Sequence, residues 1–185
     1  MNTIATALEG LLILQPKVFA DERGFFLETY HSLRYRDAGI ETSFVQDNLS
    51  FSKKNVLRGL HFQKSQPQAK LVQVISGEIF DVAVDIRPGS ATFGKWAGVM
   101  LSEENKRQLL VPEGFAHGFC VLSESARVAY KCSTYYNPED EGGIRWSDPE
   151  IGIDWPIKDP ILSEKDRILP RLSEITPSQL NRGKK

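Results

Sequence analysis

The sequence predicts an all-β fold, a β-sandwich or jelly-roll barrel, and three observations support that prediction. From Phe44 onward the chain is a succession of strand-like runs of four to nine residues separated by turn chemistry. A single short segment, residues 32–38, has the pattern of a helix, with short helical turns expected near the C-terminus. No repeat, low-complexity tract or linker divides the 185 residues, so one domain over 1–185 is expected, with about 176–185 as a frayed polar tail. Many short antiparallel strands hide their apolar faces by closing two sheets on each other.

In chain order, residues 11–19 read as the first strand. The opening MNTIATALEGLLILQP has no basic n-region and its apolar part ends at Pro16, so no signal peptide is expected. Asp21-Glu22-Arg23-Gly24 reads as a turn into a second strand over 25–30. The helix takes Ser32 as its N-cap and Gly39 as its stop, and His31 at the boundary reads as structural. Runs 71–75 and 78–86 flank Ser76-Gly77, which reads as a two-residue hairpin loop. That register sets Val72 opposite Asp81 and Lys70 opposite Ala83, making Lys70 and Asp81 diagonal neighbours. Asp81 then either orients the lysine or is a solvated or merely structural carboxylate. Strands follow over 95–101, 107–111, 117–122 and 127–135. Pairing the last two across 123–126 puts His117, Phe119, Tyr130 and Cys132 on one face. After Tyr136 the texture is loop, with a helical turn over 162–167 capped by Ser163.

Composition narrows the function. A net charge of −1 gives the surface no general pull on nucleic acid, and no apolar run reaches the ~20 residues of a membrane span. Cys120 and Cys132 fit neither a disulfide framework nor a zinc motif, so free core thiols and a cytoplasmic address are expected.

Chemistry concentrates in two stretches. LRGLHFQKSQPQAK, residues 57–70, places His61 between Arg58 and Lys70, a titrating group between two cations, which suits proton transfer beside a bound anion. PEGFAHGF, residues 112–119, adds His117. Arg58 and His61 have opposite parity on a regular strand, so both reach one pocket only if the strand is bulged, with Gly59 as the candidate position. The pattern Pro112-x-Gly114-x-x-His117 resembles the second motif of the cupin superfamily. The first motif here reads His61-Phe62-Gln63, without the glutamate a metal centre uses and with Lys70 nearby. Two histidines beside a cation make a poor divalent site, so no metal is expected. A polar barrel interior holding His61, His117, Lys70, Arg58 and Tyr130 then calls for water or a polyanionic ligand.

Six ordered blocks make a specific match: DERGFFLE (21–28), QDNLS (46–50), LRGLHFQ (57–63), PEGFAHGF, YKCSTYY (130–136) and LSEKD (162–166). Together they resemble the dTDP-4-dehydrorhamnose 3,5-epimerase family from near residue 1 to about 175. The resemblance implies a cupin-like jelly-roll homodimer, without cofactor, acting on dTDP-4-dehydro-6-deoxyglucose in dTDP-rhamnose synthesis. It implies His61 as base, Asp166 as its dyad partner, Tyr130 as acid on the opposite face of the sugar, and Lys70 beside the 4-keto oxygen. It places Arg23, Glu28, Gln46, Asn48, Arg58, His117, Glu141 and Lys165 at the nucleotide and sugar. Phe26 and Tyr136 are candidates to stack on thymine.

The chemistry needs these residue types. C3 and C5 are both α to the C4 ketone, so losing either proton leaves an enolate, and a cation at its oxygen stabilises the intermediate more than the ketone. Inversion needs base and acid on opposite faces of the ring. Three rivals remain: an epimerase inverting only C3 or only C5, a metal-dependent cupin oxygenase, and a non-catalytic sugar-nucleotide binding module. An exposed edge strand at 11–19 is a hazard that pairing with a second subunit would cover.

Overall fold

The computed structural model describes residues 1–180; the polar stretch 181–185, part of the tail expected to fray, lies outside the described residues. Residues 176–180 form a turn, and Leu180 is buried against the core.

Among the described residues the strands are β1 (Asn2–Ala5), β2 (Leu12–Gln15), β3 (Val18–Asp21), β4 (Gly24–Leu27), β5 (Gln46–Lys53), β6 (Leu57–Gln63) and β7 (Lys70–Ser76). They continue through β8 (Glu78–Asp85), β9 (Trp96–Ser102), β10 (Gln108–Val111), β11 (Phe115–Val121), β12 (Ser125–Cys132) and β13 (Glu141–Gly143). Helix α1 (Ser32–Asp37) follows β4, and α2 (Glu164–Arg167) and a 3₁₀ turn over Leu172–Glu174 lie near the C-terminus. A six-stranded sheet ordered β1-β2-β10-β7-β12-β5 faces a five-stranded sheet ordered β13-β6-β11-β8-β9, and β3–β4 form a separate hairpin. The named pairings are antiparallel, giving the jelly-roll arrangement.

Period-two alternation sorts each strand between two environments. Val72 and Val74 of β7, Ile79 and Ala83 of β8, Phe119 and Val121 of β11, and Val128 of β12 meet between the sheets. The opposite parity of the five-stranded sheet, Leu57, Leu60, Val82, Val84 and Cys120, points outward, yet it too is buried. Segment 144–180 covers it with Ile144, Ile151, Trp155, Leu172 and Leu180. Exposing such side chains costs roughly 1.5–3 kcal/mol apiece, so the stretch with a loop-like texture is part of the core. Trp155 is tied down by its Nε1–H donating to the Trp146 carbonyl at 2.8 Å. On the outer face of the six-stranded sheet, α1 buries Tyr35 against Leu14, Leu71 and Leu110.

Several local readings are corrected. The single strand expected over 11–19 is interrupted at Pro16 and Lys17 and becomes β2 and β3, since proline supplies no N–H to a ladder. It is preceded by β1, which with β5 forms the edges of that sheet; β2 lies inside, between β1 and β10. His31, not Ser32, caps α1, its Nδ1 accepting from the Arg34 N–H at 3.5 Å, while Gly39 in a left-handed conformation (φ +84°) ends it as expected. β13 pairs with β6 inside a region read as loop. Neither predicted hairpin exists: β7 and β8 lie in opposite sheets, and so do β11 and β12. A tight turn between apolar strands serves an arch between sheets as well as a hairpin within one, and only the packing of both faces separates the two. Gly77 makes one such arch at φ +85°, where a Cβ would lie 2.2 Å from the Ser125 carbonyl oxygen.

The β6–β11 ladder pairs His117 with His61 and Phe119 with Arg58, so β6 spends three steps where β11 spends two. The extra residue is Gly59 (φ +120°), where a Cβ would meet Gly118 Cα and the His117 carbonyl oxygen at 2.7 Å. Gly59→Ala is expected to cost about 2 kcal/mol or more, combining left-handed strain with a backbone clash. The urea midpoint of the variant checks this; an unchanged midpoint would mean that β6 does not need its bulge.

Candidate active site

The bulge decides which side chains enter the space between the sheets. Leu57, Leu60 and Phe62 face outward into the covered core, leaving Arg58 and His61 on the inner face together. Arg58 is aimed by Ser52, whose Oγ accepts from its Nε at 2.9 Å, and by the Phe51 carbonyl at 3.3 Å from Nη2. On the facing sheet Tyr130 and Cys132 share the inward parity of Val128, and Lys70 shares that of Val72; Cys132 and Lys70 are register partners.

The C-terminal segment supplies the remaining group. A parallel bridge between Val56 and Ile161 fastens it beside the start of β6, with Ile161 N–H donating to the Asn55 carbonyl at 2.7 Å. α2 then begins at Ser163, whose hydroxyl accepts from the Asp166 N–H at 3.1 Å, the cap read from the sequence. Asp166 is almost wholly buried, and its Oδ1 lies 2.6 Å from His61 Nε2.

These groups line a cavity of about 500 Å³, with His61, Arg58 and His117 on one wall, Lys70 and Tyr130 on the other, and Asp166, Lys165, Tyr136 and Glu141 around them. An adjoining hollow of about 220 Å³ shares His61, Lys70, Tyr130, Tyr136 and Glu141 and adds Gln46, Asn48 and Cys132. The convergence of His117 and Tyr130 expected from one hairpin is therefore real but arises across two sheets.

The charges are specific. Burial pushes the Asp166 carboxyl up, but hydrogen bonding and charge from His61, the Ser163 hydroxyl and the Gly59 N–H outweigh it and hold Asp166 below the usual carboxylate range. It therefore stays ionised and accepts a hydrogen bond from Nε2–H, leaving Nδ1 as the basic nitrogen. Burial pushes the Tyr130 phenol above its ordinary value, with Cys132 adding to it, so the hydroxyl keeps its proton. Burial drives Lys70 down, while Cys132, Asp81 and Glu141 pull it back up. Glu141 is held low despite burial because Lys165 and Tyr136 donate to Oε2 at 2.6 and 2.9 Å. Each of the two cavity histidines has its own carboxylate, His117 Nε2 meeting Asp81 Oδ1 at 2.8 Å. Among the described residues no three His, Cys, Asp or Glu side chains converge as a ligand set.

Three expected binding residues stand apart. Arg23 is exposed at the tip of the β3–β4 hairpin and pairs with Asp21 at 2.6 Å. Phe26 lies on the same hairpin, 65% exposed beside Phe19. Glu28 pairs with Arg34 in a separate hollow with His31 and Tyr35. None lines the cavity of its own chain. Asp81 is corrected too: the hairpin register that made it a diagonal neighbour of Lys70 is absent, and its hydrogen bond goes to His117.

Sequence reasoning missed Ser50, which lines the cavity, and Ser52, which aims Arg58. It read Cys132 as inert core, whereas Cys132 lines the adjoining hollow and its Sγ accepts from Asn48 Nδ2 at 3.5 Å. β5 did carry a signal: Gln46, Asn48, Ser50 and Ser52 share one parity while Leu49 and Phe51 on the other are exposed. That inversion of the usual pattern marks a strand whose inner face lines a polar site.

The family model for dTDP-4-dehydrorhamnose 3,5-epimerase matches residues 5–174. The dTDP-4-dehydrorhamnose 3,5-epimerase of Salmonella typhimurium is 57% identical over 177 residues, covering 94% of this chain and 97% of that protein. The same-named protein of Methanothermobacter thermautotrophicus is 56% identical over 167 residues, covering 89% and 90%. The structure of dTDP-6-deoxy-D-glucose-3,5-epimerase from Legionella pneumophila, solved in complex with dTDP-4-keto-L-rhamnose, superposes with a TM-score of 0.95 at 53% identity, covering 100% of this chain and 99% of that one. With the matched region spanning the bulged strand, both sheets and the capped turn that carries Asp166, the chain belongs to the dTDP-4-dehydrorhamnose 3,5-epimerase family.

Proposed function

We propose that this chain inverts C3 and C5 of dTDP-4-dehydro-6-deoxy-D-glucose, forming dTDP-4-dehydro-L-rhamnose for dTDP-rhamnose synthesis without metal or organic cofactor. One observation supports the reading above the others: His61 and Tyr130 belong to opposite sheets and face one cavity, with Lys70 beside the phenol. A sugar ring lying between the sheets meets an imidazole on one face and a phenol on the other, which is what inversion requires.

In this reading His61, held by Asp166, takes the proton from C3 or C5. The C–H electron pair becomes the enolate, whose charge collects on the C4 oxygen, where the Lys70 ammonium stabilises it. Tyr130 then donates its proton to the same carbon from the opposite face, a role that suits a phenol kept neutral by burial. The imidazolium and phenolate return to their starting forms by exchange with solvent through the open cavity. Arg58, Lys165 and His117 supply donors for diphosphate and sugar oxygens. Gln46, Asn48 and Glu141 add polar contacts, and Tyr136, exposed at the rim, is placed to stack on thymine.

Arg23, Glu28 and Phe26 fit this reading if the protein is a homodimer in which the β3–β4 hairpin completes the partner's site. The hairpin exposes Phe19, Phe25 and Phe26, and the six-stranded sheet exposes Leu49, Phe51 and Ile75, an apolar surface a second subunit would cover. No helix of the described residues is long and apolar enough to cross a membrane. A cytoplasmic address, where nucleotide sugars are made, completes the reading.

In D₂O, with EDTA present, the substrate is expected to gain deuterium at both C3 and C5. Label at one carbon alone would make this a single-site epimerase, and activity lost to the chelator would point to the metal-dependent rival. His61→Ala and Tyr130→Phe should each lower turnover by about 10² or more, and Lys70→Ala by about 10² to 10³, with ligand affinity largely kept. Full turnover in either of the first two would remove the two-faced mechanism. Sedimentation should give twice 20.8 kDa. After subunit exchange, a mixture of Arg23→Ala and Tyr130→Phe proteins should recover roughly a quarter of wild-type turnover, since half the dimers are mixed and each has one intact site. No recovery would place Arg23 outside the partner's site.

A further inference from the structure

Asp81 is a buried carboxylic residue hydrogen-bonded to His117 of the cavity wall, with no part in the proton transfers above. It projects inward from β8 between Ile79 and Ala83 and is 0% exposed. Its Oδ1 is engaged by His117 Nε2 at 2.8 Å, whereas Oδ2 meets no hydrogen-bond donor. Among the described residues it is the single buried side-chain oxygen or nitrogen so placed. Leaving a carboxylate oxygen unpaired in the interior is costly, so the position calls for a reason that packing does not supply.

The facing sheet offers one. Lys70 is drawn out of water, and burial works against its charge; the groups that work for it are Cys132, Asp81 and Glu141. The titratable and charged groups that line the cavity and its adjoining hollow with it are Tyr130 and Cys132 on β12, His61 and Arg58 on β6, His117 on β11, Lys165 and Asp166 on α2, and Tyr136 and Glu141 at the rim; Asp81 on β8 reaches this wall through its hydrogen bond to His117. Burial pushes the Cys132 thiol up, so it carries no charge near neutrality. The Glu141 carboxylate is engaged by Lys165 and Tyr136. The Asp166 carboxylate is engaged by His61 at 2.6 Å. That leaves Asp81, whose Oδ2 is uncommitted.

We propose that Asp81 is a positioning residue: one oxygen fixes the His117 imidazole in the cavity wall, and the other keeps Lys70 an ammonium ion beside the ketone oxygen. This rests on the reading of Lys70 as the group that stabilises the enolate. It explains how a lysine partly cut off from solvent stays cationic in a cavity that also holds Arg58 and Lys165.

Asp81→Asn keeps the shape and removes the charge. An ammonium that loses a negative neighbour gives up its proton at lower pH, so the alkaline limb of turnover should move to lower pH by about one unit. Turnover should fall more than KM rises, since the enolate exists only along the reaction path. The ¹³Cε resonance of Lys70 in lysine-labelled protein, assigned with Lys70→Arg, should titrate at correspondingly lower pH. The imidazole ¹⁵N shifts of His117 should pass from one tautomer to an average. In a Lys70→Arg background, where the cation cannot be lost, adding Asp81→Asn should move no alkaline limb. A folded Asp81→Asn protein with unmoved Lys70 titration and unmoved limb overturns the inference; should that variant not fold, Asp81→Ser is read in the same way. If the wild type fails to exchange C3 or C5 protons, the epimerase reading falls, while the Lys70 resonance still decides the role of Asp81.

Discussion

Gly59 and Gly118 approach so closely that a Cβ on Gly118 would lie 2.6 Å from the Arg58 carbonyl oxygen and 3.2 Å from Gly59 Cα. This contact between two backbones lets β6 hold one more residue than its partner strand without leaving the ladder. Remove the extra residue and period-two alternation would send Arg58 or His61 outward, into the apolar layer formed by Leu57, Leu60 and Phe62. An arginine or histidine there would be buried without a partner, and the cavity would lose either its guanidinium or its imidazole. The composition of the cavity thus follows from a local packing constraint between two residues without side chains.

The second determinant is the cover on the outer face. Segment 144–180 has little regular structure, yet it seals the five-stranded sheet with Ile144, Ile151 and Trp155 and in the same course delivers Ser163 and Asp166 to the cavity. Structural burial and the orientation of the His61 imidazole are thereby coupled in one stretch of chain. Asp166 can be both buried and ionised because His61, the Ser163 hydroxyl and backbone N–H groups surround it. Around the cavity His61 is paired with Asp166, His117 with Asp81 and Lys165 with Glu141, and pairing of this kind is the condition for holding several ionisable groups in one interior.

Much of the site was readable from residue type and spacing. The need for a bulge at Gly59 follows from the opposite parity of Arg58 and His61, and the Ser163 cap from its place before an acidic turn; both are present. The sorting of β5 into a polar and an apolar parity was equally available and passed unread. The hairpin assignments failed for a definite reason. Ser76-Gly77 and the turn after His117–Leu122 have hairpin-like chemistry, but β7, β8, β11 and β12 are apolar on faces that belong to different layers, and local turn residues carry no information about which sheet the next strand joins.

The amino-acid order alone determined the strand-rich class, the family motifs and the residues able to move protons, because these depend on side-chain chemistry and on periods of a few residues. Which strands face each other was decided only in three dimensions, since it depends on matching apolar surfaces far apart along the chain. That is why His117 and Tyr130 meet across two sheets rather than side by side in one, why Asp81 turns to His117, and why Arg23, Glu28 and Phe26 stand on an exposed hairpin away from the cavity of their own chain.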